Sequence, residues 1–294
     1  MEKLEACPIC GCNKTKHFID CIDHTVSRET YSIVRCEQCG FLFTNPRPDK
    51  EKIGQYYKSE EYISHSNSSK GIINKLYQEV RKYTLGSKFR LVSSLTKGTR
   101  ILDIGCGTGE FLNTCKKAGW TCIGIEPDQG ARQYGLNNYG LDVKEECAIS
   151  TLESASFDII TMWHVLEHVY DLKERVAELD RLVKPEGTIL IAVPNSSSSD
   201  ALHYKEAWAA YDVPRHLYHF QPKDIELLFK GFGLNVVRIL PMKFDSFYVS
   251  MLSEKYQSGK TNLLKALWRG FSSNMSARSN GQTYSSQIYV IKKN

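Results

Sequence analysis

A glycine-rich turn, "LDIGCGTGEF" at residues 102–111, follows a short apolar run and carries a carboxylate on either side. Gly105, Gly107 and Gly109 give the loop the backbone freedom that a ligand-cradling turn needs. Asp103 stands two residues upstream, and Glu110 follows Gly109. A dinucleotide loop aims amides and a helix N-terminus at a pyrophosphate. Two carboxylates beside the loop would repel that group and favour a cation. Glu126 ends the next strand, 21 residues after Gly105. A carboxylate there accepts hydrogen bonds from both hydroxyls of a ribose. The implied ligand has a ribose and a positive charge, and no pyrophosphate. S-adenosylmethionine meets all three conditions.

Four cysteines form a second constellation. Cys7/Cys10 and Cys36/Cys39 make a CxxC…CxxC pattern with 25 residues between the pairs, and glycine follows each pair. Such turns point two thiolates each at one tetrahedral Zn2+, and four sulfurs close the coordination sphere, so the site is expected to be structural. A module of this size buries too little apolar surface to fold unaided, and metal supplies the missing stability. A redox or disulfide pairing is the alternative, with Cys12 and Cys21 as nearby spares.

The chain of 294 residues is 41% hydrophobic and 24% charged, ordinary for a globular protein. "MEKLEACPIC" has no signal-like apolar core, and no run reaches membrane-spanning length, which gives a cytoplasmic expectation. Net charge is +5, and residues 65–100 hold eight Lys/Arg against one acid. That strip reads as a solvated helix face, or as a surface for phosphate or RNA.

Apolar spacing predicts lead-in helices from about Gly71 to Leu95. Strand and helix patterns then alternate from "RILDI" to the terminal "SQIYVIKK". This order predicts an α/β, Rossmann-like, mostly parallel seven-stranded sheet with helices on both faces, after a small zinc-ribbon-like module. The expected divisions are a zinc-knuckle module at 1–45, a connector with "NPRP" at 46–97, and the main domain at 98–294. Segments 196–220 and 241–286 exceed what a minimal unit needs and read as lid or substrate loops. "SSSS" at 196–199 and the serine-rich 272–287 read as mobile.

"ILDIGCGTGEFL", the acid of "GIEPD", "FDIITMWHVLEHV" and "LVKPEGTILIAVPN", in this order, resemble the class I S-adenosylmethionine-dependent methyltransferases. By that resemblance Asp103 and the glycine loop hold the methionine part, Glu126 the ribose, and Trp163 and His164 line the cofactor side of the cleft. The adenine contact is expected within "EECAIS", 145–150. Knuckle, connector and "DVPRHLYHF" together are similar to a bacterial group tied to sugar and polysaccharide biosynthesis.

Methyl transfer to a hydroxyl or an enolisable carbon needs positioning and a base. His216, beyond the fifth strand, is the candidate catalytic base, with Tyr211, Asp212, Arg215 and His219 as orienting or substrate-binding groups. Arg215 suits the diphosphate of a nucleotide-linked sugar. Glu167 and His168 read as scaffold. The expected partner is a sugar, nucleotide-sugar or similar metabolite methylated on oxygen or carbon. The alternatives are an RNA methyltransferase using the zinc module and basic strip, and a non-catalytic adaptor that binds cofactor and zinc.

Overall fold

The computed structural model describes residues 1–57, 72–279 and 283–294, and for 72–81 the backbone alone. The chain opens with β1 (Thr15–Ile22), β2 (Thr30–Cys36) and β3 (Leu42–Thr44), then α1 (Ile72–Leu95). Alternation follows: β4 (Arg100–Ile104), α2 (Glu110–Lys117), β5 (Thr121–Ile125), α3 (Gln129–Tyr139), β6 (Asp142–Lys144), β7 (Phe157–Trp163), α4 (Leu172–Leu182) and β8 (Val183–Pro194). The remainder is α5 (Ser199–Tyr204), β9 (Tyr218–His219), α6 (Pro222–Lys230), β10 (Leu234–Pro241), α7 (Asp245–Ser258), α8 (Leu263–Ser279) and β11 (Ser286–Lys293). Among the described residues no helix is long and apolar enough to cross a membrane.

The seven-stranded sheet has the order β10-β11-β8-β7-β4-β5-β6, and only β11 runs antiparallel to its neighbours. Its central strands are buried on both faces, as in "RILDI" and "FDIITMW", which suits near-continuous apolar runs under helices on either side. The order reverses at β4, where the chain runs to β5 and β6 on one side and returns through β7 on the other. Ligands of open α/β sheets bind at such a switch point, outside the carboxyl ends of the strands.

The N-terminal strands form a second sheet that does not stop at residue 45. Its order is β1-β2-β3-β9, and β9 comes from the 196–220 segment. Cys7, Ile9, Cys36, Phe41 and Phe43 share one hydrophobic core with Leu217, Tyr218, Phe220 and the main sheet. The connector is equally engaged. Arg47 is buried, donates to Glu2 at 2.7 Å and to the Tyr218 hydroxyl at 2.9 Å, and stacks on Tyr170.

The segment expected to be a lid is packed instead. Trp208, Tyr211, Leu217 and Tyr218 are buried, and so are Ser196 and Ser198 of the serine run. Ser198 caps α5 by accepting from Ala201 N, and Ser196 Oγ donates to the His219 carbonyl. The second serine-rich stretch forms the end of α8 up to Ser279 and enters β11 at Ser286, with 280–282 outside the described residues. Serine hydroxyls supply in these places the hydrogen bonds that buried backbone and carboxylates require. The basic strip is not one exposed face: Lys88 turns inward over the Trp163 ring, and Arg100 lies over Phe157. Lys70 and the side chains of Lys75 and Arg81 lie outside the described residues.

Candidate active site

β4 delivers Asp103 to the switch point in a fully buried position, where its carboxylate accepts from Thr161 Oγ1 of β7 at 2.6 Å. Burial pushes this carboxyl up to about 7, against the Thr161 hydrogen bond and the Lys88 charge. Glu126 Oε2 accepts from Gly107 N at 2.8 Å and Oε1 from Asp128 N at 2.9 Å, and burial raises this group as well. Each oxygen keeps a further lone pair. The loop between the two acids is shaped by three left-handed glycines at φ +71°, +55° and +81°. A Cβ on Gly105 would strike the Val165 side chain at 2.4 Å, and one on Gly109 would strike Leu141 at 2.5 Å. A Cβ on Gly107 would meet nothing within 4 Å, so it would project into the open cradle itself. Two desolvated carboxylates flanking an open glycine turn fit a cationic nucleoside, and S-adenosylmethionine fits them. The start of the 145–150 segment lies beside Glu126, whose N–H donates to the Lys144 carbonyl.

At the end of β7, Trp163 packs edge-on against Phe111 and receives Lys88 Nζ on its face, 4.2 Å from the ring centre. His164 follows with φ +57° and joins two elements: Nε2 meets Asp245 of α7 at 2.9 Å, and Nδ1 meets Glu167 at 3.4 Å. Burial works against its charge, yet the two carboxylates outweigh it and hold the imidazole up at about 10. Asp245 was hidden from sequence reasoning because it starts a helix in the distant 241–286 segment. Lys88 was hidden within a strip that looked solvated.

Below His164 lies a buried cluster. Glu167 and His168, in the tight turn Leu166–His168, face His216. His216 Nδ1 donates to the Ala210 carbonyl at 2.8 Å, and His168 Nδ1 donates to the Arg215 carbonyl at 3.0 Å and meets the Tyr57 hydroxyl. With each Nδ1 turned to a carbonyl, Nε2 is the nitrogen left on either ring to accept a proton. Glu167 carries two buried oxygens without a regular hydrogen bond, with His216 Nε2 at 3.9 Å. Burial, followed by the His216 charge, pushes His168 down to about 4. One carboxylate and two imidazoles within 4.8 Å of one another also form a set that could hold a divalent cation. Glu167 and His168, read as scaffold from sequence, thus belong to the same cluster as His216. Their signal was the spacing in "HVLEH", where His164, Glu167 and His168 share one side of a turn.

The other expected substrate groups lie elsewhere. Arg215 is buried, and its guanidinium is spent on Asp212 at 2.6 and 2.9 Å, Asp23 at 3.1 Å and the Tyr56 carbonyl at 3.0 Å. These bonds take four of its five N–H donors, which leaves no fork for a diphosphate, and Asp212 is its counter-ion. His219 Nε2 pairs with Thr44 Oγ1 at 3.0 Å, and burial keeps the ring neutral. Tyr211 packs between Trp208 and His219.

The four paired cysteines do converge. Cys7 and Cys39 Sγ lie 3.6 Å apart, Cys10 and Cys36 Sγ 3.5 Å apart, and all four fall within 4.8 Å of one another. Both turns are built alike, with Gly11 donating to the Cys7 carbonyl and Gly40 to the Cys36 carbonyl, each glycine at positive φ. These separations exceed a disulfide bond by well over an ångström, and all ten cysteines are free thiols. Cys12 turns to Lys14, and Cys21 packs with Tyr31 and Trp208 in another cluster.

The description "Methyltransferase domain" matches residues 77–239, more than half of the chain. The chain belongs to this family. It is an S-adenosylmethionine-dependent methyltransferase, and the adaptor reading falls away. The methyltransferase is 30% identical over 175 residues to a ubiquinone biosynthesis O-methyltransferase of Neisseria meningitidis, covering 54% of this chain and 71% of that one. Among solved structures it resembles a SAM-dependent methyltransferase from Archaeoglobus fulgidus (TM-score 0.51, 19% identity, 75% of this chain and 99% of that one). A putative sarcosine dimethylglycine methyltransferase from Galdieria sulphuraria shares the fold at TM-score 0.50 and 16% identity, over 73% and 86% of the two chains.

Two outcomes are expected. Gly107→Ala, strained by its positive φ but meeting no neighbour, should lower the melting temperature less than Gly105→Ala does and lose S-adenosylhomocysteine binding in calorimetry. Gly105→Ala should lower the melting temperature clearly, because Val165 has to move. Unimpaired binding by Gly107→Ala would place the cofactor elsewhere. The Asp103 carboxyl must be charged to hold a cation, so cofactor affinity should fall roughly tenfold per pH unit below about 7 and level off above it. Asp103→Asn should flatten that profile; a flat wild-type profile would rule the assignment out.

Proposed function

We propose that this methyltransferase carries a methyl group to a hydroxyl oxygen of a small acceptor, with the Glu167–His168–His216 cluster receiving the hydroxyl proton. The observation that carries this reading is the pair of Nε2 atoms left to accept a proton beside a buried carboxylate that lacks a regular hydrogen-bond donor. When bound, S-adenosylmethionine supplies a sulfonium-activated methyl carbon, whose departing thioether needs no acid. The chain must therefore position the acceptor oxygen and take one proton. His164, kept protonated with its two N–H groups turned to Asp245 and Glu167, cannot itself be the base at neutral pH. His216 or His168 takes the proton at Nε2, and Glu167 stabilises the imidazolium so formed.

Oxygen is favoured over carbon as acceptor because the Neisseria meningitidis relative is an O-methyltransferase. That relative's name points to ubiquinone biosynthesis rather than to sugars. With Arg215 consumed by Asp212 and Asp23, a nucleotide-linked sugar also lacks its expected diphosphate clamp. We propose a hydroxyl-bearing small molecule without a diphosphate as the substrate class. Glu167→Gln should lower kcat by roughly a hundredfold or more and leave S-adenosylhomocysteine affinity within twofold. Wild-type turnover in this variant, measured as S-adenosylhomocysteine release over a panel of hydroxylated acceptors, would remove the cluster from the chemistry.

We also propose that Cys7, Cys10, Cys36 and Cys39 hold one structural Zn2+. Sulfur separations of this size suit tetrahedral thiolate coordination. Because β9 hydrogen-bonds to β3, and Thr44 binds the Leu217 and His216 backbone, the zinc module supports the loop that carries His216. Purified protein should contain one zinc per chain by elemental analysis. Cys36→Ser should lose the metal, the melting temperature should fall, and turnover should drop further than cofactor affinity. Full metal content in Cys36→Ser would refute this site.

A further inference from the structure

Helix α8 is built inside out. Its buried positions are Ala266, Gly270, Ser273 and Ala277, one stripe of small residues at helical spacing. That stripe seats closely: a Cβ on Gly270 would lie 2.7 Å from Phe247 of α7. Ser246 Oγ donates to the Gly270 carbonyl, and Ser273 Oγ donates to Asp200 of α5. The opposite stripe, Leu264, Leu267, Trp268, Phe271 and Met275, is large, apolar and open. Leu264 is 82% exposed and Trp268 66%, and the other three are more than half exposed. At the helical rise the stripe runs about 16 Å along the surface. Ordinary surface helices bury the large side chains and show the small or polar ones. Singly exposed apolar residues need no explanation, but a contiguous stripe marks an interaction surface.

The charges around the stripe select its occupant. Residues 259–279 contain Lys260, Lys265, Arg269 and Arg278 and no acid, and among the described residues only Lys265 of these forms an ion pair, with Glu254. A second copy of this chain seated on the stripe would set these cations against their own counterparts. A nucleic acid would use the cations and could stack on Trp268, but it has no use for Leu264, Leu267, Phe271 and Met275. A bilayer surface with anionic headgroups uses both features: apolar side chains enter the acyl boundary, and Lys and Arg stay with the headgroups. The helix is too short and too charged to span, so it would lie flat.

We propose that the outer face of α8 docks this protein on an anionic lipid membrane. Asn274 of α8 donates to the Lys243 carbonyl at 2.9 Å, and the neighbouring Phe244 is half exposed and meets Tyr83 edge-on at 5.7 Å. Asp245, the next residue, holds His164. A docked α8 therefore places the cleft near the headgroup layer, where an amphiphilic hydroxyl compound would be presented.

The test uses the full chain with vesicles of phosphatidylcholine plus phosphatidylglycerol, and of phosphatidylcholine alone, read by co-sedimentation and by tryptophan emission. Wild type should pellet with the anionic vesicles and shift its emission to the blue, with binding weakened by salt. Leu264→Glu combined with Trp268→Glu should weaken binding roughly tenfold or more. Both positions are exposed, so melting temperature and cofactor affinity should stay at wild-type values, and Phe271→Ser alone should give an intermediate loss. No vesicle binding by wild type would overturn the proposal. A stable dimer in light scattering that the double variant dissolves, without vesicle binding, would give the face to a second copy. Salt-sensitive RNA binding without vesicle binding would give it to nucleic acid.

Discussion

The guanidinium of Arg215 is buried with one charge on its own loop and another on the N-terminal module, and the placement of the Glu167–His168–His216 cluster depends on that arrangement. A cation taken out of water is tolerated only when its charge is paired and most of its donors are met, and removing one partner of such a set costs several kcal/mol. Asp23, Asp212 and the Tyr56 carbonyl meet it together. Asp23 is in turn fixed by the amides and hydroxyls of Thr25 and Ser27. The backbone on the other side of the same residue then does a second job, since the Arg215 carbonyl receives His168 Nδ1. Fixing a charge on one face of the loop thus selects the tautomer of an imidazole on the other. Among the described residues, the N-terminal module thus braces the loop that carries His216 without placing a side chain beside Asp103 or Glu126.

The cofactor cleft obeys the opposite logic. Asp103 and Glu126 are desolvated carboxylates, with hydroxyl or amide donors at hand and Lys88 nearby but not bonded to Asp103. Burial depresses Lys88, while Asp103 and Asp245 pull it back. Their free energy is left partly uncompensated in the protein alone, and a ligand that brings a positive charge and hydroxyl donors relieves it. The same carboxylate chemistry that stabilises the fold at Arg215 is held in reserve at the cleft. Function sits where the electrostatic account does not close.

Local rules made the central fold legible. The apolar runs of β4, β7 and β8, the glycine turn and the acid after β5 each follow from nearest-neighbour chemistry, and they place Asp103, Gly107 and Glu126 as expected. The cysteine pairs were legible for the same reason, because each turn is complete within five residues. What escaped was long-range partnership. Nothing within "DVPRHLYHF" says that Arg215 meets Asp23 or that Tyr218 and His219 add a strand to β3, so exposed substrate roles were read where buried scaffold lies. The place of His168 beside His216 was equally out of reach, because its partners are a carbonyl 47 residues away and the Tyr57 hydroxyl.

Serine-rich composition misled for a more general physical reason. A run such as "SSSS" or "FSSNMSARS" is polar by count, yet a serine hydroxyl that donates to a buried carbonyl or carboxylate is a small core residue. In α8 the consequence goes further. Serine, glycine and alanine let the helix approach α7 and α5 closely, and that approach leaves the large residues no inward direction to take. The packing that seats α8 against α7 and α5 is therefore the packing that turns Trp268 and Leu264 outward. Because α7 also starts at the Asp245 that holds His164, the seating of α8 and the geometry at the mouth of the cleft are set by one and the same contact surface.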